Sequence, residues 1–215
     1  LTGYPLTLVH LHRARCVVVG GGTVAARKVD GLRAADARVV VISPVLCERL
    51  EELAAQGEVE AVRRAYRAGD LEGALLVIAA TDDPAVNRRV WEEARARGIL
   101  VNVVDDPDRC TFFLPAVVRR GPLTLAVSTD GRCPALARRI RQRLEREFGP
   151  AYGPFVEWLG ELRQRVVSIL PPARRKAFWD RLFRSDVLAL LDAGDETAAR
   201  RRAEEILKQI QSWET

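Results

Sequence analysis

The chain has 215 residues, enough for one ordinary domain or two small ones. With 48% hydrophobic and 29% charged residues it has a globular composition, and no apolar run approaches the roughly 20 residues of a membrane span. The net charge of +5 suits an anionic ligand, but the arginines are spread over amphipathic stretches rather than interleaved with aromatics, which argues against a nucleic-acid surface.

A short apolar lead-in at residues 4–11 precedes the most informative stretch, CVVVGGGTVAARK at 16–28. Residues 16–19 read as a buried strand, and Thr23 onward opens a helix that runs to about residue 34. Between them stand Gly20, Gly21 and Gly22. Read as G-x-G-x-x-A, the motif is Gly20, Gly22 and Ala25. Gly20 permits the tight turn, Gly22 lets a pyrophosphate approach the backbone, and Ala25 lets helix and strand lie close. The helix N-terminus then offers free N–H groups to the phosphates. A glycine turn alone is common; its place between strand and helix makes it a dinucleotide fingerprint.

A second strand at 39–42 stops at Ser43-Pro44. Dinucleotide folds usually carry an acidic residue there for the ribose hydroxyls, and this chain has Ser43, Pro44 and Val45 instead. Ser43 offers one hydroxyl, while Arg27 and Lys28 would favour a 2′-phosphate, so NAD and NADP both remain open on chemistry alone. A helix follows at 47–55 with Leu46, Leu50 and Leu53 on one face, then a short strand at 59–62 and an apolar one at 75–80. Ala80, Thr81, Asp82 and Asp83 come next; small residues there admit a nicotinamide ribose, and the aspartates can cap the helix that starts near Pro84. A fifth strand at 100–104 completes a half in which strands and helices alternate throughout, the mark of a parallel sheet covered on both faces.

The fifth strand ends in Asn102-Val103-Val104-Asp105-Asp106-Pro107. Asp105 should face the crevice beyond the carboxyl ends of the strands. An ionised carboxylate there can take a proton while a hydride leaves, or it can form an Asx turn. After it, β-like runs at 112–118 and 123–127 have no helix between them, and from Pro134 on only helices are signalled: 135–148, 155–169, 174–183, 186–191 and 196–210. Gly149, Pro150, Gly153 and Pro154 mark a boundary.

The four cysteines form no C-x-x-C pair and read as buried reduced thiols, and the two histidines, His10 and His12, leave little for a metal site, so none is expected. No secretory signal is visible, which places the protein in the cytoplasm. The chain opens on Leu1 and has no methionine, which implies a removed initiator or a start downstream of the gene's own.

GGGTVAARK, IAATDDPAVNRRV, ILVNVVDDP and RRGPLTLAVSTDGRCPALARRIR resemble, in order and spacing, the precorrin-2 dehydrogenase family. That family includes the amino-terminal module of siroheme synthase and free-standing homologues, some also sirohydrochlorin ferrochelatases. The likeness covers residues 4 to about 148 and continues in RRKAFWDRLF at 174–183. It implies NAD-dependent oxidation of precorrin-2 to sirohydrochlorin, with insertion of ferrous iron in some members. It also implies an α/β architecture of three parts assembled as a homodimer: a Rossmann-like NAD-binding domain (1–111), a small β/α dimerisation segment (112–148) and an all-helical domain (149–215).

By motif match Asp105 takes the family's catalytic aspartate position, and Thr23, Val24, Pro44 and Val45 take cofactor positions. With Gly20, Gly21, Gly22, Ser43, Ala80 and Thr81 they make up the expected cofactor site. Asn102, Ser128 and Thr129 are the expected substrate contacts, and Arg119, Arg120 and Arg138 could anchor a polycarboxylate. The turn Ser128-Thr129-Asp130-Gly131 departs from the family's serine–glycine pattern. Thr129 keeps a hydroxyl where siroheme synthase has a phosphorylatable serine, and Asp130 adds a negative charge. A competing expectation is an NAD(H)-sensing regulatory module without turnover, for which Asp105 is dispensable.

Overall fold

In the computed structural model, which describes residues 3–212, the apolar runs of the first half become a five-stranded parallel sheet. β1 (Arg15–Val19), β2 (Arg38–Ile42), β3 (Glu60–Val62), β4 (Ala74–Ala79) and β5 (Leu100–Val103) lie in the order β3-β2-β1-β4-β5. Successive strand residues point to opposite faces. Cys16, Val18, Val39, Val41, Leu76 and Ile78 pack with Val29, Leu32, Leu50 and Leu53 of α1 (Thr23–Arg33) and α2 (Glu48–Ala55). Val17, Val19, Val40, Ile42, Val77 and Ala79 pack with Val90 and Ala94 of α3 (Pro84–Ala96). Two covered faces are why these strands read as unbroken apolar runs rather than alternating ones.

The expected strict alternation fails at one place. Residues 63–73 cross from β3 to β4 with no α-helix, and side chains pin the crossing instead. Tyr66 is buried and donates its hydroxyl hydrogen to Glu93 of α3, which also accepts from the Gly69 N–H at 3.0 Å. Arg64 pairs with Asp70 at 2.7 Å, and Arg15 at the start of β1 donates to the carbonyls of Asp70 and Glu72, each at 2.9 Å.

This latch should make the fold sensitive to acid. Burial alone would raise the Glu93 carboxyl, but the bonds from Tyr66 and Gly69 and the nearby Arg97 outweigh it and hold it below its ordinary 4.5. The Arg64 hydrogen bond likewise holds Asp70 below 3.8. A carboxyl depressed on folding stabilises above its unfolded pKa, and that stability is lost as pH falls through the folded value. The melting temperature should therefore fall as the pH drops below 4.5. Tyr66→Phe should cost about 1–2 kcal/mol and blunt that acid dependence. Melts of both proteins from neutral pH downward check this; equal curves reject the latch.

The chain divides into two compact units, Leu1–Leu114 and Pro115–Thr215, so the hairpin segment and the helical tail fall in the same unit. The second unit opens with an antiparallel hairpin, β6 (Ala116–Arg120) and β7 (Leu123–Val127), with Val118 opposite Leu125. Residues 112–115 stay outside the ladder although the sequence run began at 112; Pro115, the residue before β6, has no N–H to contribute. α4 (Pro134–Glu147) packs on the hairpin, and Arg120 donates to the last carbonyls of that turn, Glu145 and Phe148, each at 2.9 Å. A cation is favoured at such a helix end.

α5 (Tyr152–Ile169) starts three residues before the expected position. Gly153 lies against the Arg120 backbone, where a Cβ would come within 3.1 Å, and Pro154 is tolerated in the first turn, where its missing N–H costs nothing. α6 (Pro172–Arg184), α7 (Val187–Asp192) and α8 (Glu196–Gln211) enclose a core around Phe155, Leu162, Phe178, Leu182 and Leu207. On α4, Leu136 and Ile140 are exposed. Among the described residues no helix is long and apolar enough to cross a membrane. The cysteines are free as expected, but only Cys16 is buried; Cys133, the N-cap of α4, is exposed because it precedes the packed helix rather than lying on its inner face.

Candidate dinucleotide site

The strand order reverses between β1 and β4, so the chain leaves their carboxyl ends in opposite directions and opens a crevice there. The three glycines after β1 do different work. Gly20 has φ +129, and a Cβ on it would stand 2.2 Å from the Ala80 carbonyl oxygen. A Cβ on Gly21 would stand 1.9 Å from the Val45 carbonyl oxygen. One on Gly22 would meet nothing within 4 Å. Gly20 and Gly21 thus close the turn onto the loops after β4 and β2, while Gly22 faces open space. Backbone bonds fix the arrangement: Gly20 N–H to Ile42 O at 2.9 Å, Cys47 N–H to Gly21 O at 2.8 Å and Ala80 N–H to Val19 O at 2.8 Å.

Gly22 is also the N-cap of α1. No side chain caps this end and no acidic residue stands in its first turn, where Thr23 and Val24 lie. The end keeps its partial positive charge and its donors for a ligand. Open space beside uncapped N–H groups fits a pyrophosphate.

After β2, Ser43 is 8% exposed and donates its hydroxyl hydrogen to the Val45 carbonyl at 2.7 Å. That hydrogen, which the sequence offered to a ribose, holds the loop together, and Pro44 and the exposed Val45 form its outer wall. After β4, the Thr81 hydroxyl donates to Asn87 Oδ1 at 2.8 Å and Asn87 Nδ2 returns a bond to the Thr81 carbonyl at 2.9 Å. Asn87 thereby braces the loop of Ala80 and Thr81 from α3. Sequence reading missed it, and the signal was its place one helical turn after the Asp83 cap. Asp83 accepts from the Ala85 N–H at 2.8 Å, so the capping reading of that aspartate holds.

At the end of β5, Asn102 is buried and its amide donates to the Phe112 carbonyl at 3.0 Å. This expected substrate contact holds the returning chain in place. Asp105 is exposed, in a turn, with φ +61, a left-handed conformation that Asp tolerates well. Asp106 pairs with Arg109, whose guanidinium lies 5.6 Å from the Trp91 ring centre, with Arg95 at 5.3 Å from the same ring. Ser128 and Thr129 lie in the second unit, where their hydroxyls accept from the N–H groups of Asp130 and Cys133, each at 3.1 Å. Of the three arginines considered for carboxylates, Arg120 is committed to the end of α4. Among the described residues no three His, Cys, Asp or Glu side chains gather into a metal-binding group.

A parallel sheet of this order, with a glycine turn and an uncapped helix at its switch point, is a Rossmann-type dinucleotide-binding domain. Family profiles match segment by segment: putative NAD(P)-binding at residues 7–116, sirohaem biosynthesis protein central at 120–147 and sirohaem synthase dimerisation region at 151–207. The first of these covers half of the chain, and the chain belongs to that putative NAD(P)-binding family. It is 44% identical over 194 residues to a siroheme synthase of Thioalkalivibrio sulfidiphilus, covering 90% of this chain and 40% of that one. With a siroheme synthase of Pseudomonas aeruginosa it shares 43% over 204 residues, covering 94% and 44%. The chain thus spans about two fifths of the length of these curated relatives. Among solved structures it resembles SirC, a precorrin-2 dehydrogenase, with a TM-score of 0.75 at 26% identity over 98% of this chain and 100% of that one.

Proposed function

We propose that this chain oxidises precorrin-2 to sirohydrochlorin with NAD. The observation that carries the proposal is the exposed Asp105 carboxylate at the carboxyl end of β5, in a sheet whose switch point is built for a dinucleotide. Bound NAD supplies the hydride acceptor. Gly20, Gly21 and Gly22 with the amides of Thr23 and Val24 hold the pyrophosphate; the 43–45 loop flanks the adenosine ribose, and Ala80 and Thr81 flank the nicotinamide side. NAD is preferred over NADP on family likeness. Forming a new double bond in the tetrapyrrole removes one hydride and one proton. Asp105 accepts that proton on its carboxylate, and its charge favours the positive charge that develops as the hydride leaves. Ser128 and Thr129 are proposed as substrate contacts in their own unit. Ferrous iron enters as a second substrate on family likeness alone.

The test is anaerobic incubation of the chain with precorrin-2 and NAD, following NADH and sirohydrochlorin together. Equal formation of both is expected. Tight NAD binding with no turnover would instead favour the sensing module, and added ferrous iron that raises no sirohaem above the uncatalysed rate removes the iron-insertion part. The match of residues 151–207 to a dimerisation region supports a homodimer; the 112–148 segment, where Leu136 and Ile140 are exposed, is proposed as part of the contact as well. Light scattering that finds a monomer at micromolar concentration rejects it. A cytoplasmic location belongs to the same proposal, and cell fractionation checks it.

A further inference from the structure

Lys28 is a half-buried cation that the fold itself does not use. It lies on α1 one turn beyond Val24 and on the same face. The core under α1 includes Val104 and Phe112, which bracket the segment that carries Asp105 and Cys110. Many other cations of the first unit are committed: Arg33 to Glu58, Arg64 to Asp70, Arg97 to Glu93 and Arg109 to Asp106. Among the described residues Lys28 closes no ion pair. Burial lowers its pKa from 10.5, Arg27 on the same helix lowers it further, and the charges of Asp105 and Cys110 pull the other way. Cys110 remains a thiol, raised above 9.0 first by burial, with its sulfur accepting from the Val103 N–H at 3.3 Å. A half-buried ammonium with no closed pair is costly, and such groups concentrate where an anion is received.

We propose that Lys28 receives a carboxylate of the tetrapyrrole and so sets the substrate beside Asp105; this rests on the dehydrogenase reading above. A phosphate of the cofactor is the other source of an anion. The position argues against it. Pyrophosphate belongs at the Gly22 end of α1, and the adenosine ribose belongs by the loop after β2, whereas the segment after β5, packed through Val104 and Phe112 against the core under α1, carries the negative groups that act on Lys28.

The test uses Lys28→Gln and Lys28→Arg in the full chain. Lys28→Gln should raise KM for precorrin-2 about tenfold or more, with a smaller fall in kcat and unchanged dissociation constants for NAD and NADP. Binding of sirohydrochlorin, followed optically without turnover, should weaken in parallel. In the unsubstituted chain kcat/KM should decline on the alkaline side, at a pH below the ordinary lysine range, as Lys28 loses its proton. Lys28→Arg, always charged, should remove that decline. Unchanged KM and sirohydrochlorin affinity in Lys28→Gln overturn the proposal, and so does a loss confined to NADP, which would assign Lys28 to the cofactor. An unsubstituted chain that neither oxidises precorrin-2 nor binds sirohydrochlorin sinks the dehydrogenase reading first and this proposal with it.

Discussion

Asp105→Asn should leave NAD affinity intact and lower turnover of precorrin-2 by about 10²–10⁴-fold, the usual contribution of a positioned base. The backbone makes this substitution unusually clean. At φ +61, Asp105 occupies a region that Asn enters as readily as Asp, whereas alanine there would add about 1–2 kcal/mol of strain and confuse the result. The amide keeps the size and most hydrogen bonds but is no longer a useful proton acceptor. If the residue only shapes the turn before the Pro107–Arg109 segment, Asn replaces it well and turnover survives. Steady-state rates and calorimetric NAD titration on one preparation separate the outcomes. Near-normal turnover makes Asp105 structural, and a joint loss of NAD binding and turnover makes it a cofactor contact.

The second large effect separates two adjacent glycines. Gly21→Ala should cost about 1–3 kcal/mol and weaken NAD, since its Cβ would stand 1.9 Å from a backbone oxygen that has no freedom to rotate away. Gly22→Asp should leave the melting temperature unchanged or slightly raised. Its Cβ meets nothing, and Asp is a favoured N-cap. NAD affinity should nevertheless fall by about a hundredfold or more, because a carboxylate would occupy the space assigned to the pyrophosphate, and facing like charges cost several kcal/mol. Titration calorimetry with parallel melts decides it. Unaltered NAD binding by Gly22→Asp removes the phosphates from this turn.

Much of the first unit was legible because its signals are local. Four consecutive apolar residues, a glycine turn and an amphipathic helix fix β1 and α1 to within a residue, and the same holds for β2, α2 and β5. What failed needed tertiary knowledge. At the crossing at 63–73, the local Arg64–Asp70 pair is joined by bonds from Tyr66 and Gly69 to Glu93, which lies 27 and 24 residues away from them in sequence. The turn at Gly20 was legible, but the tight packing of Gly21 was not, since only the folded chain brings the Val45 carbonyl against it. The bracing role of Asn102 was not legible either, since its burial against the Phe112 carbonyl depends on a chain reversal that no periodicity announces. Asn87 and Lys28 lie among ordinary helical residues, and only their distant neighbours distinguish them.

The pairing of β1 with β4 also sets a timetable. β1 meets β2 after a single helix, but it meets β4 only after β2, α2, β3 and the loop at 63–73 have been laid down. The entropy of closing that long loop is spent before the ladder from Arg15–Ala74 to Val19–Ala79 repays it, and such distant contacts slow folding. The second unit pairs its strands by an adjacent hairpin, β6 with β7, and packs α7 on α8, although α8 also meets α5 and α6. During refolding, helical circular dichroism should therefore recover before the capacity to bind NADH. Arrival of the nucleotide becomes a clock for the slowest step of assembly, readable by stopped-flow fluorescence, and simultaneous recovery of both signals would show that the long-range pairing is not the late event.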